Sequence, residues 1–208
     1  MTHSDKIQGL LKKRYPSPET ALKFSTPFEL LVATILSAQC TDARVNVVTR
    51  KLFDKYHDVE DYASVDVKVL EQEIKPTGFY RNKAKNIIAS AKMIAGVFGS
   101  KVPMTLQELV KLPGVARKTA NVVLFGAFGK NEGIAVDTHV ARVSYRLGLT
   151  KSHDPVKIEA DLMKFVDKGQ WGKFSLRLIW HGRQVCKARN PDCRQCVLGG
   201  ICPSRLDR

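Results

Sequence analysis

The sequence predicts an all-α protein. Apolar residues recur at helical spacing along almost the whole chain, and no stretch alternates convincingly with period two. Helix-start signatures are also frequent: Thr or Asp stands before Pro, or three residues before Glu. The cysteine-rich tail is expected to be a loop appended to the helices.

The expected elements follow in order. Ser4 is positioned to cap a first helix with Ile7, Leu10 and Leu11 on one face, stopped at Pro16. In Thr26-Pro27-Phe28-Glu29, Thr26 fits the N-cap, Pro27 the first helical position, and Glu29 completes a capping box. Leu31, Ile35 and Leu36 then share a face. Thr41 or Asp42 restarts a helix carrying Val45, Val48, Leu52 and Phe53. A shorter one carries Val67, Leu70 and Ile74 and ends at Pro76-Thr77-Gly78. Residues 80–98 form a long helix with Ala84, Ile87, Ile88, Ala91, Ile94 and Ala95 inward, closed by Gly99. Thr105 to Glu108 is a second capping box. Leu112-Pro113-Gly114-Val115 breaks that helix, and another runs from about Ala116 to Phe128. Further helices span Thr138 to Leu147, closed by Gly148, then from Asp154-Pro155 through Ile158, Leu162, Phe165 and Val166, then 171–184.

At 208 residues and 44% hydrophobic, the chain can build a real core as one large or two small domains, which excludes wholesale disorder. Its apolar runs fall well short of the about 20 residues a membrane helix needs. The start, MTHSDKIQGLLKKRYP, has no secretory pattern, so an intracellular, cytoplasmic or nucleoid protein is expected, without a membrane partner and monomeric. The formal net charge of +14 points to a polyanion, nucleic acid first and membrane surface second.

Cys40 stands alone, whereas Cys186, Cys193, Cys196 and Cys202 crowd into the tail with spacing C-x6-C-x2-C-x5-C. A reducing compartment disfavours disulfides, and four clustered thiols suit a metal. Spacing alone leaves zinc and an iron–sulfur cluster both open, because each accepts four thiolates.

The short turn at Pro113-Gly114 is the most informative feature. A Gly-containing turn followed by a helix N-terminus can present backbone N–H groups to a phosphate. Arg117, Lys118 and Lys130 lie in or after it, with no acidic residue between 112 and 130. The turn by itself is also compatible with an ordinary helix–turn–helix corner. The longer string LPGVARKTANVVL is followed, 19 residues after Lys118, by Asp137 within AVDTHV.

In these residues the chain resembles the endonuclease III family of helix–hairpin–helix DNA glycosylases. The likeness takes in FELLVATILSAQCTD at 28–42, TGFY at 77–80, the hairpin, AVDTHV at 135–140, HGR at 181–183 and the four-cysteine tail. It implies two helical lobes flanking a DNA-binding cleft. One lobe would be 22–132, with the hairpin at about 105–128; the other would combine 1–21 with 133–208 and hold a 4Fe–4S cluster in loop 186–202. The cluster ligands would be Cys186, Cys193, Cys196 and Cys202. Lys118 takes the place of the catalytic amine and Asp137 that of the catalytic carboxylate. Gln39 takes the place of a residue that fills the gap left by a flipped nucleotide, and Phe79 that of an apolar wedge, commonly Leu. Gly114, Ala116 and Arg117 would meet DNA at the hairpin, and Arg189 and Arg194 at the cluster loop. Ala116 departs from the family's second hairpin Gly; helical dihedrals are expected there, since positive φ penalises Ala by about 1 kcal/mol or more.

The chemistry suits these residue types. A base within duplex DNA must swing out before its glycosidic bond can be attacked, at a cost of a few kcal/mol, so a wedge and a gap-filler are needed. A lysine attacks only as the free amine, and its reference pKa of about 10.4 leaves little of that at neutral pH. A helix N-terminus beside Arg117 would lower it. The amine then displaces the base, forms a Schiff base, and β-elimination breaks the strand. Asp137 would move protons or steady positive charge; it is equally placed to cap the helix at Thr138, and both roles can coexist.

The expected partner is double-stranded DNA with damaged bases or abasic sites, and the expected lesions are oxidised or ring-saturated pyrimidines. The nearest alternative is a monofunctional, adenine-removing glycosylase of the same superfamily. Those enzymes usually lack the hairpin lysine and carry a further C-terminal domain, whereas Lys118 is present and the chain ends at Arg208. A non-catalytic helix–hairpin–helix module with structural zinc would need no Lys–Asp pair. A membrane-surface protein would need a Lys-rich amphipathic helix with aromatic anchors, which is lacking.

Overall fold

A computed structural model describes residues 1–206; Asp207 and Arg208, which fall in the expected second lobe, lie outside the described residues. The described residues form eleven α-helices, two short 3-10 turns and no strand. They divide into two compact units, Thr20–Lys130 and a discontinuous one made of Met1–Glu19 with Asn131–Arg208.

The continuous unit holds α2 (Pro27–Leu36), α3 (Asp42–Lys55), α4 (Val59–Ser64), α5 (Val67–Glu73), α6 (Tyr80–Phe98), α7 (Leu106–Leu109) and α8 (Arg117–Phe128). Helix α2 is its centre: every residue from Leu30 to Leu36 is buried, and α3, α6 and α8 pack around it. Gly126 permits the close approach of α8, because a Cβ there would lie 2.7 Å from Leu30 Cδ2. Thr26, Pro27 and Glu29 form the expected capping box.

The discontinuous unit holds α1 (His3–Arg14), α9 (Thr138–Arg146), α10 (Pro155–Met163) and α11 (Trp171–Gln184), with the cysteine tail after them. Helix α11 packs on both α1 and α9. Twelve residues are too few for a helix to stand alone in water. Burial of Ile7 and Leu11, about 1.5–3 kcal/mol each, is what holds α1 in place.

Several local expectations are corrected. Thr2, not Ser4, caps α1, because only Thr2 has an acidic residue three positions on: Asp5 accepts the Thr2 N–H at 2.7 Å. Thr105 caps α7, but Glu108 Oε2 takes the Thr105 hydroxyl at 2.7 Å rather than a backbone N–H, so the box is one-sided. Ile74 lies past the end of α5, followed by a 3-10 turn at Lys75–Thr77. Ala95 is only half-buried, whereas Lys83 and Ser90 of α6 are buried. The short α4, capped by Asp58, was not foreseen.

Candidate functional site

In the continuous unit the hairpin is built from α7, the turn and α8. The Leu112 N–H donates to Leu109 O and the Val115 N–H to Leu112 O, both at 3.1 Å, while both side chains are buried. Ser90 of α6 donates to Pro113 O at 2.8 Å and anchors the turn. Gly114 has φ +77°, and a Cβ there would meet Asn86 Nδ2 at 2.6 Å, so the position excludes other residues both conformationally and sterically. Ala116 is the N-cap of α8, extended at φ −82°, ψ 168°, not helical as expected and not at positive φ. The added methyl therefore carries no backbone strain. Ala has no oxygen with which to cap, so the N-cap residue supplies no side-chain cap. Arg117 is exposed and Lys118 half-buried, the first two residues of the helix.

Gln39 and Phe79 lie on separate connections of the same unit, after α2 and before α6. Both are left-handed and exposed: Gln39 has φ 52°, and Phe79 has φ 48° with 63% of its surface open. Such a backbone costs a non-glycine residue about 1–2 kcal/mol. An exposed aromatic held at that cost offers an apolar face to solvent.

In the discontinuous unit Asp137 is half-buried and caps α9, its Oδ1 accepting the Val140 N–H at 2.8 Å. Arg142 of α9 donates through Nε to Cys186 O at 3.2 Å and through Nη2 to Gly182 O at 2.9 Å. Arg146, one turn on, reaches Cys186 Sγ at 3.4 Å, Lys187 O at 2.7 Å and Ala188 O at 3.0 Å. The His181 ring lies between Tyr15 OH, 3.3 Å from Nδ1, and Cys196 Sγ, 3.5 Å from Nε2. Burial pushes the His181 pKa down to about 4, so the ring is neutral at pH 7. Burial also pushes the Cys196 thiol up.

Cys186, Cys193, Cys196 and Cys202 line one concavity of about 390 Å³, its open mouth included. Gly199 closes its floor tightly: a Cβ there would press on the Cys193 and Cys196 carbonyls at 3.2 and 3.1 Å. No three His, Cys, Asp or Glu side chains among the described residues converge closely enough for a single metal ion. Four thiols around one shared space fit a polynuclear cluster, whose irons each take a different sulfur. The Arg146 guanidinium, donating to Cys186 Sγ, suits thiolate charge, and the His181 ring stands within hydrogen-bond reach of Cys196 Sγ. Arg189 and Arg194 are exposed on this loop.

Residues 32–168, more than half of the chain, match the model of the HhH-GPD superfamily base excision DNA repair protein. Over 94% of this chain and 89% of the relative, it is 54% identical to endonuclease III of Synechocystis sp.. The chain belongs to the endonuclease III family. Endonuclease III of Bacillus subtilis is 53% identical over 90% of this chain and 86% of its own. A solved trapped endonuclease III–DNA covalent intermediate, an estranged-adenine complex, superposes with a TM-score of 0.92 at 45% identity, covering 98% of this chain and 97% of that one.

Two groups in this endonuclease III family protein escaped the sequence reading. Arg142 and Arg146 have the spacing of an ordinary polar helix face, and only the fold brings the tail to them. Lys83 is buried in the first turn of α6, where its charge reads as a solvent-facing group.

Proposed function

We propose that this endonuclease III family protein is a bifunctional DNA glycosylase and AP lyase of base excision repair, acting on oxidised or ring-saturated pyrimidines in double-stranded DNA. The observation that carries this reading is the placement of Lys118 at the second position of α8, directly after the Gly114 turn and the Ala116 N-cap. The turn and first-turn amides hold backbone phosphate, with Arg117 beside them. The same anchoring sets the Lys118 amine against the sugar.

Phe79 enters the stack and Gln39 fills the space left when the damaged nucleotide turns outward. The neutral Lys118 amine bonds to C1′, and the base leaves with the glycosidic electron pair and takes up a proton. Loss of an amine proton and opening of the sugar ring, whose oxygen leaves C1′ with the bonding pair and takes up a proton, give the protonated Schiff base. That cation acidifies the 2′ proton, whose removal expels the 3′ phosphate. Asp137 keeps its second carboxylate oxygen for proton transfer or for steadying positive charge on the sugar.

Cys186, Cys193, Cys196 and Cys202 would hold a 4Fe–4S cluster, with Arg146 and His181 donating toward its sulfurs. When bound, the cluster supplies a rigid four-point tie for the tail. Arg189 and Arg194 then form a fixed phosphate-binding surface. The test is borohydride trapping on duplex DNA carrying one ring-saturated pyrimidine. The wild type is expected to form a covalent adduct, and Lys118→Gln to lose both adduct and strand cleavage while still binding DNA. Base release by a wild type that never traps would instead make the enzyme monofunctional.

A further inference from the structure

Lys83 is only 4% exposed, a rare setting for lysine. Its Nζ donates to two carbonyl oxygens, Leu36 O and Thr77 O, each at 2.8 Å. Its backbone N–H donates to Phe79 O at 3.1 Å. Leu36 is the last residue of α2, three before Gln39, and Thr77 ends the 3-10 turn two before Phe79. One residue thus grips both exposed left-handed segments.

The other hydrogen bonds in the two segments are short-range: the Thr77 N–H and hydroxyl donate to Ile74 O at 2.9 and 2.8 Å, the Gly78 N–H to Lys75 O at 3.2 Å, and the Ser37 hydroxyl to Thr34 O at 2.9 Å. Phe79 makes no side-chain cap at the start of α6. After α2 the chain is tied by Cys40 N–H to Ser37 O at 3.1 Å and Ala38 N–H to Ile35 O at 3.4 Å. A non-glycine residue at positive φ persists only where its surroundings over-determine it. Capping α2 alone would need only the Leu36 bond, since a cation already suits that negative helix end. The equal bond to Thr77 is what joins the two segments. Burial lowers the Lys83 pKa, and even a neutral amine keeps two protons to donate.

We propose that Lys83 is a positioning residue that locks the Gln39 and Phe79 segments into one rigid element, so that wedge and gap-filler enter DNA together. This rests on the reading of Gln39 and Phe79 as the flipping residues. Lys83 itself touches no substrate.

The test uses the full-length, metal-loaded protein. In Lys83→Met, amide hydrogen exchange is expected to rise about tenfold or more in both 37–41 and 77–80, while α6 beyond Ile87 keeps its protection. Excision of 5,6-dihydrothymine from a duplex should fall at least about tenfold more than cleavage at a pre-formed abasic site. That selective loss should vanish in a Gln39→Ala, Phe79→Ala background, where there is nothing left to position. Lys83→Gln, a milder change with a shorter donor, should repeat the pattern at lower amplitude. In the unsubstituted protein the two segments should open at one common urea concentration below global unfolding. Faster exchange in one segment only, two separate opening points, or an undiminished effect in the double-alanine background would overturn the proposal. If the double-alanine protein shows no selective loss, the flipping reading fails, and the exchange data still decide the clamp.

Discussion

Asp137 Oδ1 accepts the Val140 N–H at 2.8 Å, and Asp137 Oδ2 takes no hydrogen bond from any described residue. One carboxylate thus caps α9 with one oxygen and retains the other for chemistry. Asn keeps the capping oxygen and loses the carboxylate. Asp137→Asn is expected to slow base excision about 10²–10⁴-fold with an almost unchanged melting temperature. Asp137→Ala should lose the cap too, about 1 kcal/mol or roughly 2–4 °C. A near-wild-type excision rate for Asp137→Asn would reduce Asp137 to a cap.

Phe79 is tested through its two properties, exposure and backbone. Phe79→Ala should impair excision of a stacked damaged base more than cleavage at an abasic site, which has no base to extrude. Because φ is 48°, Phe79→Gly should melt above Phe79→Ala, by an effect of about 1 kcal/mol. Equal losses on the two substrates would remove Phe79 from the flipping step.

The four thiols that line one concavity are expected to bind about four irons per chain and give a brown protein after anaerobic, iron-replete preparation. Cys196→Ala should lose the colour and loosen residues 186–202 to proteolysis. Stoichiometric zinc with no iron would contradict the assignment.

Asp161 of α10 provides a pH test away from catalysis. Hydrogen bonds from Lys164 at 2.8 Å and Thr150 at 2.7 Å hold its carboxyl below the usual carboxylate range. A depressed folded pKa stabilises above the unfolded value and is lost as pH falls through the folded one. Asp161→Asn should therefore melt lower than wild type at pH 7, by well under 1 kcal/mol for so exposed a pair. The gap should close as pH drops below 3.8. A gap that persists or widens in acid would contradict the assigned direction.

How much the sequence disclosed depends on how local each cause is. Thr26-Pro27-Phe28-Glu29 carries its cap, its first-turn proline and its reciprocal acid within four residues, so the start of α2 was legible. Gly99 and Gly148, both at positive φ, were legible as stops for the same reason. Thr2 and Ser4 are both competent caps, and the choice turned on Asp5. Helix α4 shows only Val59 and Tyr62 as buried residues in six, too short for periodicity to register. The cysteines were legible by spacing, but their donors were not: Arg146 meets Cys186 across 40 residues of sequence. Lys83 reaches Leu36 across 47; it stands four residues before Ile87 on the inward stripe of α6, but its charge reads as a surface group and its carbonyl partners lie outside its own helix.

The discontinuous unit has a consequence for the order of synthesis. Tyr15 meets His181 across 166 residues. The ribosome releases α1 first, yet its main packing partner, α11, emerges last of the helices. The continuous unit lies wholly between those segments and can fold in the meantime. Between completion of Lys130 and the emergence of α11, then, α1 trails from a finished neighbour with Ile7 and Leu11 bare, an exposure that chaperone occupancy on stalled nascent chains would reveal.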